Sequence, residues 1–303
     1  MDQNITRKGP AVIRSANSNT LSDNYRDSLA IAYQFIGSVI PKIQFSFCGR
    51  EFTTPVMVGP VGGFNKFPDG CLRAARATNE AGSLFWSDYH DPEAWKNILA
   101  EGIPAIRVIK PIKDNDRLIQ EIRYDTEHGA LGYAVDFDHG ITPYGEFDEQ
   151  RGVPFGPKSI DDLKKLNEAS ELPFFLKGVM SVHDALMARE AGVAGIIISN
   201  HNNRFPCTVP PLRLLPEVRK AVGDDLIILI DGGLNTGYEA FKALALGADG
   251  ILFARDAAAA FVKGQDEGLK GKILQMTAEL KGAMANTGSP DLQHINHECV
   301  IKL

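Results

Sequence analysis

The sequence lacks three features that would each indicate a particular class of protein. It has no apolar stretch approaching the roughly 20 residues that a membrane-spanning helix needs, and its first residues, MDQNITRKGP, contain no apolar leader core. Basic residues are not in excess, because the formal net charge is −6, which argues against nucleic acid as a partner. We therefore expect a cytoplasmic protein that acts on a small molecule, with no nucleic-acid or membrane partner.

Cysteine is also scarce. The four cysteines lie far apart, at Cys48, Cys71, Cys207 and Cys299, with neither metal-ligand spacing nor a dense disulfide framework. This pattern predicts free thiols in a reducing compartment. His294 and His297 have a spacing that could serve a metal, but no carboxylate partner is apparent, so we interpret them as surface histidines and predict no metal site.

What the sequence does contain is a repeated pattern that begins after Thr54. Eight apolar, strand-like runs cover 55–60, 82–87, 105–111, 131–137, 173–178, 195–201, 226–233 and 250–256. Helical segments follow them at 69–81, 91–100, 114–128, 159–169, 181–191, 212–222, 237–246 and 269–285. Eight β-then-α units are the number that closes a (β/α)8 TIM barrel, and a chain of 303 residues suits one such barrel with extra segments.

The segments outside this pattern give weaker signals. Residues 1–24 are polar and predict a loose arm, and 25–39 has helical spacing that ends before Pro41. We assign 1–46 to this arm and short helix, and 47–303 to the barrel. A pair of short strands near residues 43–52 is expected to cap one end of the core. The insert at 138–157 predicts a surface loop that could act as a lid or could simply connect two elements.

Polar side chains follow the buried strand at 195–198, in the sequence GIIISNHNNR. Ligands bind at the carboxyl ends of strands in α/β folds, so Ser199, His201 and Arg204 are candidate site residues. A base and a fixed cation suit a substrate that carries an acid and must lose a proton. A polar loop with a surface histidine is the alternative interpretation.

Other strand ends carry charged residues too, among them Asp88, Lys110, Asp136 and Lys177. Lys177 follows a completely apolar run, so its ammonium should point into the mouth of the barrel. There it could stabilise an anionic ring or an oxyanion, or form a Schiff base if its pKa were lowered. Asp136 ends another apolar strand and could orient His201 across the mouth.

The seventh and eighth units indicate a phosphate site rather than a plain tight turn. Gly232 and Gly233 allow backbone N–H groups to approach an anion, and a helix begins near Thr236. Arg255 ends the eighth strand and adds a formal positive charge. Phosphate is a frequent ligand at this place in barrels.

Two blocks, residues 173–204 and 226–256, resemble the signatures of the FMN-dependent α-hydroxy acid dehydrogenases and oxidases, the family of glycolate oxidase, lactate oxidase and mandelate dehydrogenase. The matching motifs occur in order, as Lys177-Gly178, Ser199 to Arg204, and Asp231 to Arg255. A thinner likeness extends from about Phe47 to the end. The resemblance implies an FMN cofactor, oxidation of a 2-hydroxy acid to a 2-oxo acid with flavin N5 as electron acceptor, and a homo-oligomer such as a tetramer.

The resemblance also implies roles for individual residues. His201 would be the base, Asp136 would support it, and Arg204 would hold the substrate carboxylate. Lys177 would lie beside the flavin ring. The remaining cofactor contacts would come from Pro60, Val61, Ser87, Ser199, Asp231, Gly232, Gly233, Ala254 and Arg255.

The sequence departs from the family pattern at several positions. Asn202 and Asn203 replace two glycines, and Asn235 replaces an arginine that follows the DGG motif. On the third strand, Arg107 and Ile109 are placed where the family has a flavin-contacting Gln and a substrate-contacting Tyr. These departures imply that the FMN site is mostly retained and the substrate site is rebuilt. Two alternatives therefore remain, an FMN-binding barrel with a non-redox or specialised biosynthetic reaction, and a flavin-free aldolase that uses Lys177 as a Schiff base.

Overall fold

The barrel predicted from the repeated pattern is present in the computed structural model, which describes residues 17–88 and 91–303. Eight parallel strands form a closed ring in which the first strand pairs with the eighth. They are β1 (Val56–Val58), β2 (Phe85–Ser87), β3 (Ala105–Ile109), β4 (Gly132–Asp136), β5 (Phe174–Val179), β6 (Gly195–Ile198), β7 (Ile227–Ile230) and β8 (Gly250–Phe253). The (β/α)8 TIM barrel is thereby confirmed.

A helix follows each strand and covers the outside of the ring. The helices are α1 (Gly70–Glu80), α2 (Pro92–Ala100), α3 (Asn115–Glu127), α4 (Ile160–Glu168), α5 (Val182–Glu190), α6 (Pro211–Val222), α7 (Gly237–Ala245) and α8 (Arg255–Ala285). The last of them starts earlier than the predicted 269–285. It consists of two helical stretches joined at Gln265, whose φ of 53° interrupts the helix. Arg255 is therefore the first residue of a helix.

Aromatic rings close the amino-terminal end of the barrel. The predicted strand pair forms an antiparallel hairpin from Phe45–Phe47 and Arg50–Phe52. The Phe47 ring lies 5.5 Å from that of Phe175 on β5 and 6.3 Å from that of Trp86 on β2. Because this end is filled with apolar side chains, only the carboxyl end of the ring is left for a ligand.

The N-terminal expectations were wrong where the structure describes them. A helix spans Ser18–Asp27, ahead of the predicted 25–39, because the Asn17 side chain caps it by accepting hydrogen bonds from the N–H groups of Asn19 and Thr20. After the helix, Leu29–Ile31 pairs antiparallel with Val300–Lys302, which removes those residues from any helix. Of the predicted loose arm, residues 17–24 are thus ordered, and residues 1–16 lie outside the described residues.

The insert at 138–157 is folded over the carboxyl end of the barrel. It contains a small hairpin, Glu149–Gln150 paired with Val153–Pro154, and the Phe155 ring is buried. Among the described residues, no helix is both long and apolar enough to cross a membrane. The four cysteines are free thiols.

Candidate active site at the carboxyl ends of the strands

A cavity of about 1000 Å³, counting the part that opens to solvent, lies at the carboxyl end of the ring. Its lining comes from residues distant in the chain, namely Pro60, Val61, Gly62, Asp88, Val108, Lys110, Asp136, Lys177, His201, Asn202, Asp231, Gly232, Gly233, Leu234, Asn235, Leu252, Phe253, Ala254 and Arg255. The topology therefore brings most of the expected site residues to one place.

The most buried charge in the cavity is the Asp136 carboxylate at the end of β4. Lys110 Nζ donates to Asp136 Oδ2 at 2.6 Å, and Lys177 Nζ donates to Asp136 Oδ1 at 3.3 Å. Burial alone would raise the pKa of Asp136, but His201, Lys110 and Lys177 hold that pKa well below its usual range. Asp136 is therefore an anion at neutral pH, and three cationic or basic groups contact it.

Lys177 on β5 is buried and paired. Besides Asp136, its ammonium lies 3.7 Å from Asp231 Oδ2 and 3.4 Å from Ser199 Oγ. Burial alone would lower the pKa of Lys177, but the carboxylates of Asp136 and Asp231 outweigh burial and hold it above the usual value. Lys177 consequently stays protonated at neutral pH.

The His201 imidazole lies directly after β6 and faces two carboxylates. Its Nδ1 is 3.0 Å from Asp138 Oδ2 and 3.3 Å from Asp136 Oδ1. Burial by itself lowers the pKa of His201, but Asp136 and the hydrogen bond to Asp138 outweigh it, so the pKa is raised above 6.5. Its side chain keeps 27% exposure, and the imidazole lines the cavity. Asp136 was predicted from the sequence, whereas Asp138, which lies closer to His201 Nδ1, was not.

A second imidazole, His139, lies beside His201 and was not expected. Its Nε2 is 3.3 Å from His201 Nε2, and its Nδ1 is 2.8 Å from Asp148 Oδ2 in the insert. Burial, and then the nearby Lys110, lower the pKa of His139 to about 4. A neutral His139 that donates Nδ1–H to Asp148 leaves its Nε2 as an acceptor for His201.

Arg204 is close to His201 in sequence but does not line the cavity. Its guanidinium donates to the Asp138 carbonyl from Nε at 3.0 Å and contacts Asp148 Oδ2 from Nη2 at 2.7 Å. Both partners lie in the insert or at its start. Arg204 therefore fastens the insert to the barrel, and its expected contact with a substrate carboxylate stays a prediction.

Arg107 and Ile109, which were placed at the flavin- and substrate-contacting positions of the third strand, do not face the cavity. Arg107 points away from the cavity, with Nε 3.0 Å from Asp125 Oδ2, and Ile109 lies in the core between the strands and the helices. Because side chains alternate across a strand, a shift of one residue exchanges its two faces. Val108 and Lys110 are the residues that face the cavity. The charged Lys110 at the end of an apolar run was the sequence signal that could have found this register.

Ser87 also faces outward, in register with Arg107 on the neighbouring strand. Its Oγ is 3.9 Å from Cys71 Sγ on α1, so the structure does not bring this expected cofactor contact to the cavity. The adjacent Asp88 lines the cavity instead. Ser199 is buried behind Lys177 and receives the backbone N–H of His201 at 3.2 Å.

The turn after β7 suits an anionic group. Gly232 and Gly233 adopt φ values of 101° and 90°, which side-chain-bearing residues rarely adopt. A Cβ on Gly233 would stand 2.9 Å from Arg26 Nη1, so the Arg26 side chain would have to shift to admit one. Thr236 caps α7 through a reciprocal capping box with Glu239. Arg255 begins α8 on the neighbouring strand end and lines the same cavity as the glycine turn, so one helix N-terminus and a guanidinium lie beside the turn.

The residues present fit a bound FMN. The glycine turn and Arg255 suit its phosphate, and the Lys177 ammonium suits an electron-rich ring. A buried acceptor nearby, Asn200 Oδ1, has no hydrogen-bond partner among the described residues. It lies 3.6 Å from the place where a Cβ on Gly232 would stand, and a hydroxyl of a bound cofactor could satisfy it.

Four of the site residues could also be considered as metal ligands. The ligand atoms of Asp136, Asp138, His139 and His201 lie within 4.8 Å of one another. The ammonium groups of Lys110 and Lys177 already neutralise Asp136 and would repel a divalent cation at this place. We therefore interpret the cluster as a hydrogen-bonded ionic network.

Comparison with known proteins agrees with this geometry. Residues 156–302 match the family described as FMN-dependent dehydrogenase. An L-lactate oxidase of Lactobacillus jensenii is 27% identical over 290 residues, which cover 85% of this chain and 71% of that protein. An L-lactate oxidase of Alicycliphilus denitrificans is 40% identical over 139 residues, covering 46% of this chain and 38% of that protein.

The fold has the same architecture as a solved structure of a mandelate oxidase variant with a monooxide FMN adduct. The TM-score is 0.85 at 24% identity, and the match covers 95% of this chain and 91% of that one. At this identity the likeness concerns the fold. The family match and the shorter, stronger sequence match both involve about half of the chain.

Proposed function

We propose that this chain, whose residues 156–302 match the FMN-dependent dehydrogenase family, oxidises a 2-hydroxy acid to the 2-oxo acid with FMN as its cofactor. The observation that carries this proposal is the position of His201. Its imidazole faces the cavity between two carboxylates, in the same cavity as Lys177 and the glycine turn. A homo-oligomer, which the family resemblance implies, stays a prediction.

We assign the cofactor contacts to one side of the cavity. Gly232, Gly233 and Arg255 would hold the FMN phosphate through backbone N–H groups, a helix N-terminus and a guanidinium. Lys177 would lie at the ring and stabilise negative charge on it. The remaining expected contacts on this side that line the cavity are Pro60, Val61, Asp231 and Ala254. When bound, FMN supplies the acceptor for the electron pair that leaves the substrate.

His201 would accept the proton that the substrate loses. In its neutral form the imidazole is a base, and Asp136 and Asp138 stabilise the imidazolium that forms. Asp136 is already held as an anion by Lys110 and Lys177, so it does not need to change its protonation state. Because Nδ1 faces the two carboxylates, Nε2 is the atom that would take the proton, and His139 Nε2, 3.3 Å away, would accept a hydrogen bond from it in the imidazolium form. Of the two electrons and two protons that the 2-hydroxy acid loses, His201 would take one proton, and the electron pair and the second proton would go to the bound FMN.

The aldolase alternative is disfavoured by the state of Lys177. A Schiff base requires a neutral amine, and the usual means of obtaining one is a lowered pKa. The carboxylates around Lys177 raise its pKa instead. Its protonated form suits charge stabilisation beside a flavin better than nucleophilic attack.

The absorption spectrum of the purified protein tests the proposed function. After incubation with FMN and removal of excess cofactor, the protein should show the two visible bands of an oxidised flavin. Anaerobic addition of lactate, glycolate or mandelate should then bleach them. A protein that refuses FMN would contradict the proposal, and one that binds FMN but is bleached by no 2-hydroxy acid would support a flavin barrel with a different reaction.

Removal of the imidazole tests the assigned base. We expect His201→Ala to bind FMN normally and to lose about 10²–10⁴-fold in the rate of anaerobic flavin reduction, as removal of a general base typically does. The exposed His183 provides a matched control, and His183→Ala should keep the wild-type rate. Normal reduction by His201→Ala would show that another group takes the proton.

A further inference from the structure

Two cations lie near His201, and their surroundings differ. Arg204 uses Nε for the Asp138 carbonyl, and its Nη2 meets Asp148 Oδ2 at 2.7 Å and the Ile141 carbonyl at 3.5 Å. Its side chain is only 14% exposed. The charge of Arg204 is therefore already balanced by a carboxylate of the insert, and its side chain does not line the cavity in which a ligand would bind.

Lys110 is placed differently. It follows β3, its side chain lines the cavity, and its ammonium has one hydrogen-bond acceptor among the described residues, Asp136 Oδ2. An ammonium has three N–H donors, so two remain for a ligand. The residue is 7% exposed, and in so enclosed a site an unused charged donor favours an anionic partner.

The shared carboxylate places Lys110 next to the base. Asp136 receives Lys110 through Oδ2 at 2.6 Å and faces His201 Nδ1 through Oδ1 at 3.3 Å. In a 2-hydroxy acid the carboxylate and the hydroxyl are on adjacent carbons. A carboxylate held by Lys110 would consequently present the hydroxyl-bearing carbon to the neighbourhood of the imidazole.

From this geometry we infer that Lys110 is a specificity-determining residue that binds the substrate carboxylate, and that Arg204 serves mainly to hold the insert. This inference rests on the proposed function for the identity of the substrate class. It also predicts that the site binds an acid more tightly than the uncharged amide of the same shape. A purely structural role for Lys110, in which it only holds Asp136 in place, predicts no such preference.

Binding of a product-like acid tests the assignment without turnover. Pyruvate and phenylglyoxylate, together with their uncharged amides, are titrated into FMN-loaded protein by calorimetry. The wild type should bind each acid more tightly than its amide. In Lys110→Met the affinity for the acid should fall about 10- to 100-fold, as loss of a hydrogen bond between charged groups implies, while amide binding changes less than about threefold. Lys110→Arg should restore most of the preference.

The neighbouring Lys113 provides the control for loss of a lysine beside the mouth. Lys113 is exposed, with its Nζ over the Phe147 ring at 4.2 Å, and Lys113→Met should bind both ligands as the wild type does. An equal loss of acid and amide binding in Lys110→Met would overturn the inference, as would a preference abolished by Arg204→Met and kept by Lys110→Met. A wild type that does not prefer the acid would overturn it too.

These outcomes are separate from those of the proposed function. Flavin reduction by 2-hydroxy acids tests the reaction, whereas the preference for the 2-oxo acid over its amide tests the charge at Lys110. A protein that binds 2-oxo acids through Lys110 but is not reduced by any 2-hydroxy acid would contradict the proposed function alone.

Discussion

The two halves of the barrel contribute differently to the candidate site. The half from β5 to β8 supplies Lys177, His201, the glycine turn and Arg255, and the family match falls on it. The half from β1 to β4 supplies Lys110 and Asp136, and the insert that follows it supplies Asp138, His139 and Asp148. Most of the groups expected at the cofactor thus come from the half that the family model matches, whereas Lys110, Asp138 and His139, which lie around Asp136 and His201, come from the other half and its insert.

The largest expected effect comes from a substitution in the half from β5 to β8. Lys177→Met would leave the buried carboxylate of Asp136 with one ammonium fewer, and breaking a buried ion pair from one side typically costs about 3–5 kcal/mol. We expect a loss of that size in the free energy of unfolding, measured by urea denaturation, together with weaker FMN binding.

Lys220 offers the matched control for this substitution. It is exposed on α6, and Lys220→Met should change neither the unfolding free energy by more than about 0.5 kcal/mol nor the affinity for FMN. If Lys177→Met kept the wild-type unfolding free energy and FMN affinity, the buried Lys177 would contribute no more than an exposed lysine does. The half from β5 to β8 would then not depend on this residue for stability or for cofactor binding.

The fold could be predicted largely from periodicity, since each β-then-α unit carries its own apolar strand and amphipathic helix. The N-terminal region could not, because its structure depends on distant partners. The strand Leu29–Ile31 exists only through pairing with Val300–Lys302, and Ser18 is tied to Asn203 and Phe205. Contacts over such separations leave no local pattern in the sequence.

Within the site, motifs predicted the groups of one half better than those of the other. Lys177, His201 and Gly232 follow strands whose ends the motifs mark. In the first half, the direction of the β3 side chains depends on the register of that strand, for which Lys110 at the strand end was the one sequence signal. Asp138 and His139 belong to a short 3-10 helix at Phe137–His139. This helix places both side chains beside His201, and no pattern in the sequence predicted it.

The pH dependence of the reaction tests the carboxylates that the first half of the barrel and its insert place beside His201. The base must be neutral, and the pKa of His201 is raised above 6.5, so the rate of flavin reduction should be full above this raised pKa and should fall as the pH drops through it. Asp138→Asn removes the closer carboxylate and should lower that pKa, because the hydrogen bond to Asp138 is one of the interactions that raise it. The acidic limb should move toward lower pH in the pH profile of anaerobic reduction.

An Asp184→Asn variant at the exposed His183 pair would serve as control and should leave the profile in place. If Asp138→Asn left the limb unmoved, Asp136 alone would govern the pKa of His201. Asp138, which the insert supplies, would then contribute nothing to the pKa of the base.

The smallest expected effect is on stability and concerns Asn203, one of the two asparagines that the resemblance places where the family has glycines. Asn203 has a φ of 64°, a conformation that Asn tolerates better than other residues with a side chain, and its Oδ1 accepts the N–H of Ser18 at 2.6 Å. It thus combines a glycine-like backbone with a tether to the N-terminal helix. Asn203→Ala loses both advantages, while Asn203→Gly loses only the tether, so we expect Ala to be less stable than Gly by about 1 kcal/mol in urea denaturation. Equal stability of the two variants would mean that the backbone at this turn is not strained and that the tether alone explains the asparagine.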